Sequence, residues 1–247
     1  MKQTKNLVMT PDGRKFFTNL DQDIHTTYGV LRKEELKGAE VGDTLQSNIG
    51  KKFFFLDPGF KDHYSRMKRT AQIIHLKDAG YILATTLVGR ESKVLDAGAG
   101  SGYLAVFLAR YVKKVYTCDI RDDHLDTVRH NVDYMGMKNI EVIKQDVYER
   151  IRQKNLDLIV FDLPEPHRAL ANASKALKPG AFLVIYNPCI TQVTAFLDEL
   201  DKHPEFLYLK TVELIHRDWE AKGKKVRPDN KAIGHTGFLC FCRKLRK

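Results

Sequence analysis

The sequence predicts a doubly wound α/β domain built on a mostly parallel sheet, preceded by a small β domain. Three observations predict it. Strand-like and helix-like segments alternate regularly from about residue 90 onward, a strand runs into a glycine-rich turn at residues 98–102, and the first quarter consists of short β-prone runs broken by turn residues. At 247 residues and 43% hydrophobic, the chain is long enough to bury one full α/β core and carry a smaller module.

In chain order, Pro11-Asp12-Gly13 separates Leu7-Val8-Met9 from Phe16-Phe17, and Tyr28-Gly29-Val30 with Gly38, Gly42 and Gly50 continues the same punctuation. An all-β module over residues 1–62 is expected, with the main domain over 63–247. A basic linker at 61–70 leads into helical periodicity over 70–88. Strands are expected at 93–96, 114–119, 140–145, 156–162 and 181–186, with helical stretches after Gly102, Asp122, Pro166 and Ile190. That alternation makes βαβ units, which close right-handed into a parallel sheet. Two further β-rich runs, 206–215 and 234–241, joined by the basic, turn-rich segment 219–231, suit an antiparallel finish at the sheet edge.

Lys and Arg number 41 against 31 Asp and Glu, a formal charge of +10 that favours polyanionic partners and places nucleic acid above a neutral metabolite. No apolar run reaches the roughly 18 residues of a membrane span, and the opening MKQTKNLVMT lacks the apolar core of a signal peptide. A cytoplasmic protein with no membrane partner is expected. Cys118, Cys189, Cys240 and Cys242 form no CxxC pair, so no metal site is expected. Cys240 and Cys242 alternate along one strand and share a face, which leaves a disulfide between subunits open.

The sharpest local signal is Asp96-Ala97-Gly98-Ala99-Gly100-Ser101-Gly102, followed by a helix starting near Tyr103 and Leu104. Glycines there let backbone approach a ligand, and the helix start offers unpaired N–H groups. Dinucleotide loops read G-x-G-x-x-G; here the glycines alternate and an acid precedes them, which favours an amino group over a phosphate. Asp119 closes the second strand, where a carboxylate accepts from both ribose hydroxyls, and Asp146, before Val147, follows the third strand, where it accepts from an adenine amine. His124 in the next helix is placed to pack on the same nucleoside. Each acid alone reads equally well as a cap or turn residue. Three at successive strand ends beside a glycine loop outline a nucleoside carrying an amino acid, the shape of S-adenosylmethionine.

The fourth strand ends in Asp162-Leu163-Pro164-Glu165-Pro166, which puts Asp162 beside the expected methyl donor on a loop stiffened by two prolines. With His25-Thr26-Thr27-Tyr28-Gly29, the run from Arg69 through Gln72 and His75 to Asp78, Arg227-Pro228 and His235-Thr236-Gly237-Phe238-Leu239, this loop resembles the tRNA (adenine-N1)-methyltransferase family that acts on the T-loop adenosine at position 58. The resemblance spans nearly the whole chain. It implies a Rossmann-like S-adenosylmethionine-dependent methyltransferase fold, S-adenosylhomocysteine as product, no metal, tRNA as partner, a homotetramer, and Asp162 as the residue that holds the target amine. A neighbouring adenosine is a further candidate target. The family usually has Tyr at the position of His75, Trp at that of His167 and often Glu at that of Asp119. A histidine at 75 still offers a face on which a flipped base stacks, and a core role is equally open.

Basic clusters at 66–69, 222–227 and 243–247 are candidates for gripping phosphates. The competing readings are a methyltransferase of the same fold acting on a protein or small-molecule acceptor, a DNA amino-group methyltransferase, and a non-catalytic RNA-binding subunit. The Asp-Leu-Pro-Glu-Pro loop argues against the first two, and the intact glycine loop against the third.

Overall fold

The computed structural model describes residues 6–231 and 233–246. The chain divides into two units, Met1–Met67 and Lys68–Lys247, so the first unit runs past the expected end at residue 62.

The first unit comprises β1 (Asn6–Met9), β2 (Lys15–Thr18), β3 (Ile24–Thr26), β4 (Gly29–Leu31), α1 (Lys33–Gly38), β5 (Thr44–Gln46), β6 (Lys52–Leu56) and α2 (Phe60–Tyr64). Four strands form an antiparallel sheet in the order β2-β1-β6-β5, and β3 pairs with β4 as a hairpin. Val8, Leu31, Leu36, Phe53 and Phe55 make its core. The two helices correct the all-β expectation. The first is a short turn whose acidic start, Glu34 and Glu35, and basic end, Lys37, suit the helix dipole; it buries only Leu36, too little for helical periodicity to register.

The second unit runs α3 (Leu76–Thr86), β7 (Lys93–Ala97), α4 (Tyr103–Leu108), β8 (Lys114–Asp119), α5 (Asp122–Met135), β9 (Ile140–Lys144), β10 (Leu156–Phe161), a 3-10 turn (Pro166–Ala169), α6 (Leu170–Ala176), β11 (Leu177–Asn187), α7 (Ile190–Leu200), β12 (Phe206–Glu213), β13 (Trp219–Lys222), β14 (Lys225–Pro228) and β15 (Phe238–Lys244). Seven strands form one sheet in the order β12-β15-β11-β10-β7-β8-β9. The five from β11 to β9 are parallel; β15 runs antiparallel to β11, and β12 antiparallel to β15, giving the expected antiparallel edge. Strand β10 shows why its run of apolar residues belongs in the centre. Leu158 and Val160 pack with Ile82, Leu104 and Leu108 on one face, while Ile159 and Phe161 pack with Ala173 and Phe196 on the other. Burial of each such large side chain contributes about 1.5–3 kcal/mol.

Three boundaries depart from expectation. Helix α3 starts at Leu76 rather than near 70 because the preceding strap is tied down elsewhere: Thr70 N and Ala71 N donate to Ser101 Oγ at 3.0 and 3.1 Å, and Lys68 exchanges bonds with the Asn131 amide at 2.8 and 2.9 Å. Strand β15 starts at Phe238 rather than 234, because His235 bonds sideways to Glu213 Oε1 at 2.6 Å and Pro188 O at 2.7 Å. Within 219–231, β13 and β14 pair as a separate two-stranded ribbon instead of joining the large sheet. Cys240 and Cys242 are fully buried in the core between β11 and β12, so they are not presented for a disulfide to another subunit.

Candidate active site

Strand order reverses between β7 and β10, and in open α/β sheets such a switch point opens a crevice at the carboxyl ends of the strands. Asp96 and Gly98 come from β7 and its turn, and Asp162 follows β10 directly, its N–H donating to Ala97 O at 2.9 Å. Gly98 has φ +90°, and a Cβ there would lie 2.1 Å from Asp162 O, so only glycine lets the two loops meet.

Two cavities adjoin at this point. One, about 240 Å³, is lined by Asp119, Ile120, Asp146, Val147, Tyr148 and Leu163 as well as Gly98 and Asp162. The other is narrower and lined by Gln72, Ile73, Ile74, Asp96, Ser101, Tyr103 and Leu104, again with Gly98 and Asp162. Asp162 is thus shared by both, and its carboxylate has no hydrogen-bond partner among the described residues.

The remaining expected residues sort by role. Gly100 N and Arg121 N donate to Asp119 at 3.1 and 3.0 Å, and His124 Nδ1 lies 3.0 Å from Asp119 Oδ2. His124 therefore orients Asp119 and does not itself line the cavity. Gly102 (φ +76°) and Gly100 shape the turn without lining it. Ser101 lines the narrow cavity while its Oγ anchors the strap. Asp146 Oδ1 accepts from Tyr148 N at 2.8 Å. Sequence reasoning missed Gln72, Ile73 and Ile74, which the strap carries into the narrow cavity, and Tyr148, an aromatic two residues past the third acid.

His75 falls elsewhere. It starts α3 and lines a cavity of about 290 Å³ with Lys77, His216, Asp218 and Thr236, next along the chain from Ile74. Lys77 Nζ donates to Asp78 Oδ1 (2.8 Å), Thr236 Oγ1 (2.6 Å) and Leu214 O (2.8 Å), while Thr236 donates to Asp78 Oδ2 at 2.8 Å. Tyr186 closes this network by donating to Thr236 O at 2.6 Å.

Burial, offset by a hydrogen bond from Thr117 at 2.8 Å, and then the neighbouring carboxylates of Asp162 and Asp119, push Asp96 up to about 7. Burial and then Asp119 push Asp162 up to about 7 as well. Because the folded-state value of Asp96 lies above its ordinary 3.8, this group favours the ligand-free fold at low pH, and that contribution is lost as pH rises toward 7. A cationic ligand has the opposite preference, since it binds the carboxylates. Its dissociation constant should rise several-fold, up to about tenfold per proton displaced, between pH 8 and pH 6. Titration calorimetry with S-adenosylmethionine checks this; equal affinity at both values would remove the coupling.

The lining suits such a ligand: carboxylates that accept from hydroxyls and amines, and neither Lys nor Arg among the lining residues of the narrow cavity. Residues 63–231 match the family described as the tRNA methyltransferase complex GCD14 subunit. The tRNA (adenine(57)-N(1)/adenine(58)-N(1))-methyltransferase TrmI of Methanocaldococcus jannaschii is 35% identical, over 88% of this chain and 86% of its own. This chain belongs to the tRNA (adenine-N1)-methyltransferase family. Among solved structures, the tRNA (m1A58) methyltransferase TrmI of Aquifex aeolicus superposes with a TM-score of 0.86 at 26% identity, covering 100% of this chain and 99% of that one. A structure from Thermotoga maritima described as an S-adenosylmethionine-dependent O-methyltransferase gives 0.89 at 26% identity, covering 98% and 93%. Family membership and fold make this member an S-adenosylmethionine-dependent methyltransferase.

Proposed function

We infer that the protein transfers a methyl group from S-adenosylmethionine to N1 of an adenosine in tRNA, the T-loop adenosine at position 58. The observation that carries this reading is Asp162: an acid whose carboxylate has no hydrogen-bond partner among the described residues, at the point shared by both cavities, on the loop that resembles this family.

Asp119 would hold the ribose and Asp146 the adenine of the cofactor, with Val147 and Tyr148 beside them. Asp96 would take the amino-acid end, lying with Tyr103 and Leu104 in the narrow cavity. When bound, S-adenosylmethionine supplies a methyl group already activated by a sulfonium. The chain's part is positioning and electrostatics. Asp162 accepts a hydrogen bond from the exocyclic amine of the target adenine, orients N1 toward the methyl carbon, and offsets the positive charge that grows on the ring as N1 is alkylated. An analogue without that amine leaves the carboxylate unpaired and is rejected. His75, half-buried, lines the separate cavity that follows Ile74 along the chain, and a base flipped toward Asp162 would stack on it only by reaching across into that neighbouring cavity.

The phosphate grip falls to the β13–β14 ribbon. Lys225 and Arg227 already pair with Glu220, at 2.9 and 3.5 Å, whereas Lys222 and Lys224 make no ion pair among the described residues. The cluster at 243–247 is weaker than its charge suggests: Lys244 is buried, Arg243 stacks on Phe182 at 4.2 Å, and Lys247 lies outside the described residues. A homotetramer working in the cytoplasm completes the proposal on resemblance alone; no helix among the described residues is long and apolar enough to cross a membrane.

Incubation with labelled S-adenosylmethionine and unmodified tRNA transcript, followed by nucleoside mass spectrometry, tests the function. Formation of 1-methyladenosine that disappears when adenosine 58 is replaced is the expected result, and transcripts altered at 57 show whether the neighbour is also used. Cofactor binding with no transfer to RNA would sink the reading and point to another acceptor.

A further inference from the structure

We propose that Gln192 is a positioning residue for Asp162, acting through the backbone of the loop that carries it; the role rests on the function inferred above. Four consecutive residues of that loop are held by groups from four different places. Asp162 N donates to Ala97 O at 2.9 Å, Asn187 Nδ2 donates to Leu163 O at 3.3 Å, Gln192 Nε2 donates to Pro164 O at 3.3 Å, and Glu165 N donates to Tyr148 Oη at 3.2 Å. The Asp162 side chain has no hydrogen-bond partner of its own among the described residues, so the backbone of the loop and the packing around it set where its carboxylate stands. Pro164 and Pro166 narrow the loop's φ angles but have no N–H to anchor. The carbonyls are therefore the handles, and the amides of Asn187 and Gln192 grip two in succession.

Gln192 does this from the first turn of α7, where its Oε1 also accepts from Cys189 N at 3.2 Å and caps the helix. Its two polar atoms thus have separable tasks: the oxygen serves the helix, the amide nitrogen serves the loop. Asn187 holds the preceding carbonyl of the loop in the same way. It is fully buried, and among the described residues its amide nitrogen makes the contact to the loop while its Oδ1 makes none. What the amide supplies is the grip on Leu163 O.

The chemistry of the two atoms makes the test. Gln192→Glu keeps an oxygen for Cys189 N, loses the N–H donor, and sets a carboxylate against Pro164 O; Gln192→Ala loses both contacts. In Q192E we expect a melting temperature within about 2 °C of the parent, S-adenosylmethionine affinity within about twofold, and kcat on tRNA lowered about tenfold at unchanged KM for the cofactor. Q192A should lose kcat equally and melt lower. Full activity in Q192E with a loss confined to Q192A would mean that capping is the whole role and would overturn the proposal. Gln192→Met, which fills the side-chain volume but offers neither the oxygen nor the N–H, should match Q192A in both kcat and melting temperature. Hydrogen exchange over residues 162–170 gives a readout independent of RNA: exchange should quicken in Q192E, and unchanged exchange overturns the clamp. If the parent protein methylates no tRNA yet exchange quickens, it is the functional reading that fails.

Discussion

Replacing Asp162 with Ala should lower kcat on tRNA by about 10²–10³, the usual consequence of removing one group aimed at charge that develops in the transition state. Cofactor affinity should stay close to that of the parent. Asp162 is one of the carboxylates whose repulsion raises Asp96, so its loss lets Asp96 ionise more readily and offsets the lost attraction for a cationic ligand. Asp162→Asn separates orientation from charge, since the amide oxygen still accepts from the exocyclic amine; its kcat should fall between the parent and D162A. Single-turnover rates with saturating tRNA, alongside calorimetric cofactor affinities, are the measurements. Near-normal turnover in D162A would remove the acid from the chemistry, and loss of cofactor binding would move it to a binding role.

The second large effect is expected at Gly98. A Cβ there would lie 2.1 Å from the backbone oxygen of Asp162, and the residue sits at φ +90°, where an L side chain is strained even in open space. The obstructing atom is backbone, so no rotamer change relieves it. Gly98→Ala must push the β7 turn and the Asp162 loop apart, at a cost on the order of 3 kcal/mol from strain alone. We expect S-adenosylmethionine affinity to weaken by about a hundredfold, equivalent to about 2.7 kcal/mol, with a lowered melting temperature. Because Gly98 and Asp162 line both cavities, one substitution disturbs both halves of the cleft. A G98A protein that binds cofactor and turns over normally would show that the close approach is dispensable.

Much of this site is legible in the sequence. Asp96, Asp119, Asp146 and Asp162 each end or follow a strand that announces itself by apolar character, and in a parallel sheet all strand ends of one kind face one edge. The order of the acids along the chain therefore carried their convergence in space. His124 was less legible, because its position in the first turn of α5 fits stacking on a ligand as well as bonding to Asp119, and only the structure shows the 3.0 Å contact to Asp119. The cavity that His75 lines was hard to read for a related reason: helical periodicity around it is real, but the strap before it is not helical, and Ile74 lines the cleft while His75 lines a neighbouring cavity.

The sequence by itself determined the parallel sheet, the glycine turn, the row of acids and the family, because each is written in residues near one another and in side-chain chemistry that needs no partner to be recognised. Only the tertiary structure decided which groups meet across long separations. Lys77 reaches Thr236 at 2.6 Å, Asn131 holds the strap through Lys68, and Gln192 grips Pro164. None of these pairs leaves a periodic trace in the chain, since a single hydrogen bond between distant segments depends on where the whole sheet has brought them. The same physics truncated α3: backbone groups at Thr70 and Ala71 that would suit a helix find the Ser101 hydroxyl instead, and a tertiary bond outweighs a local propensity worth only tenths of a kcal/mol per residue.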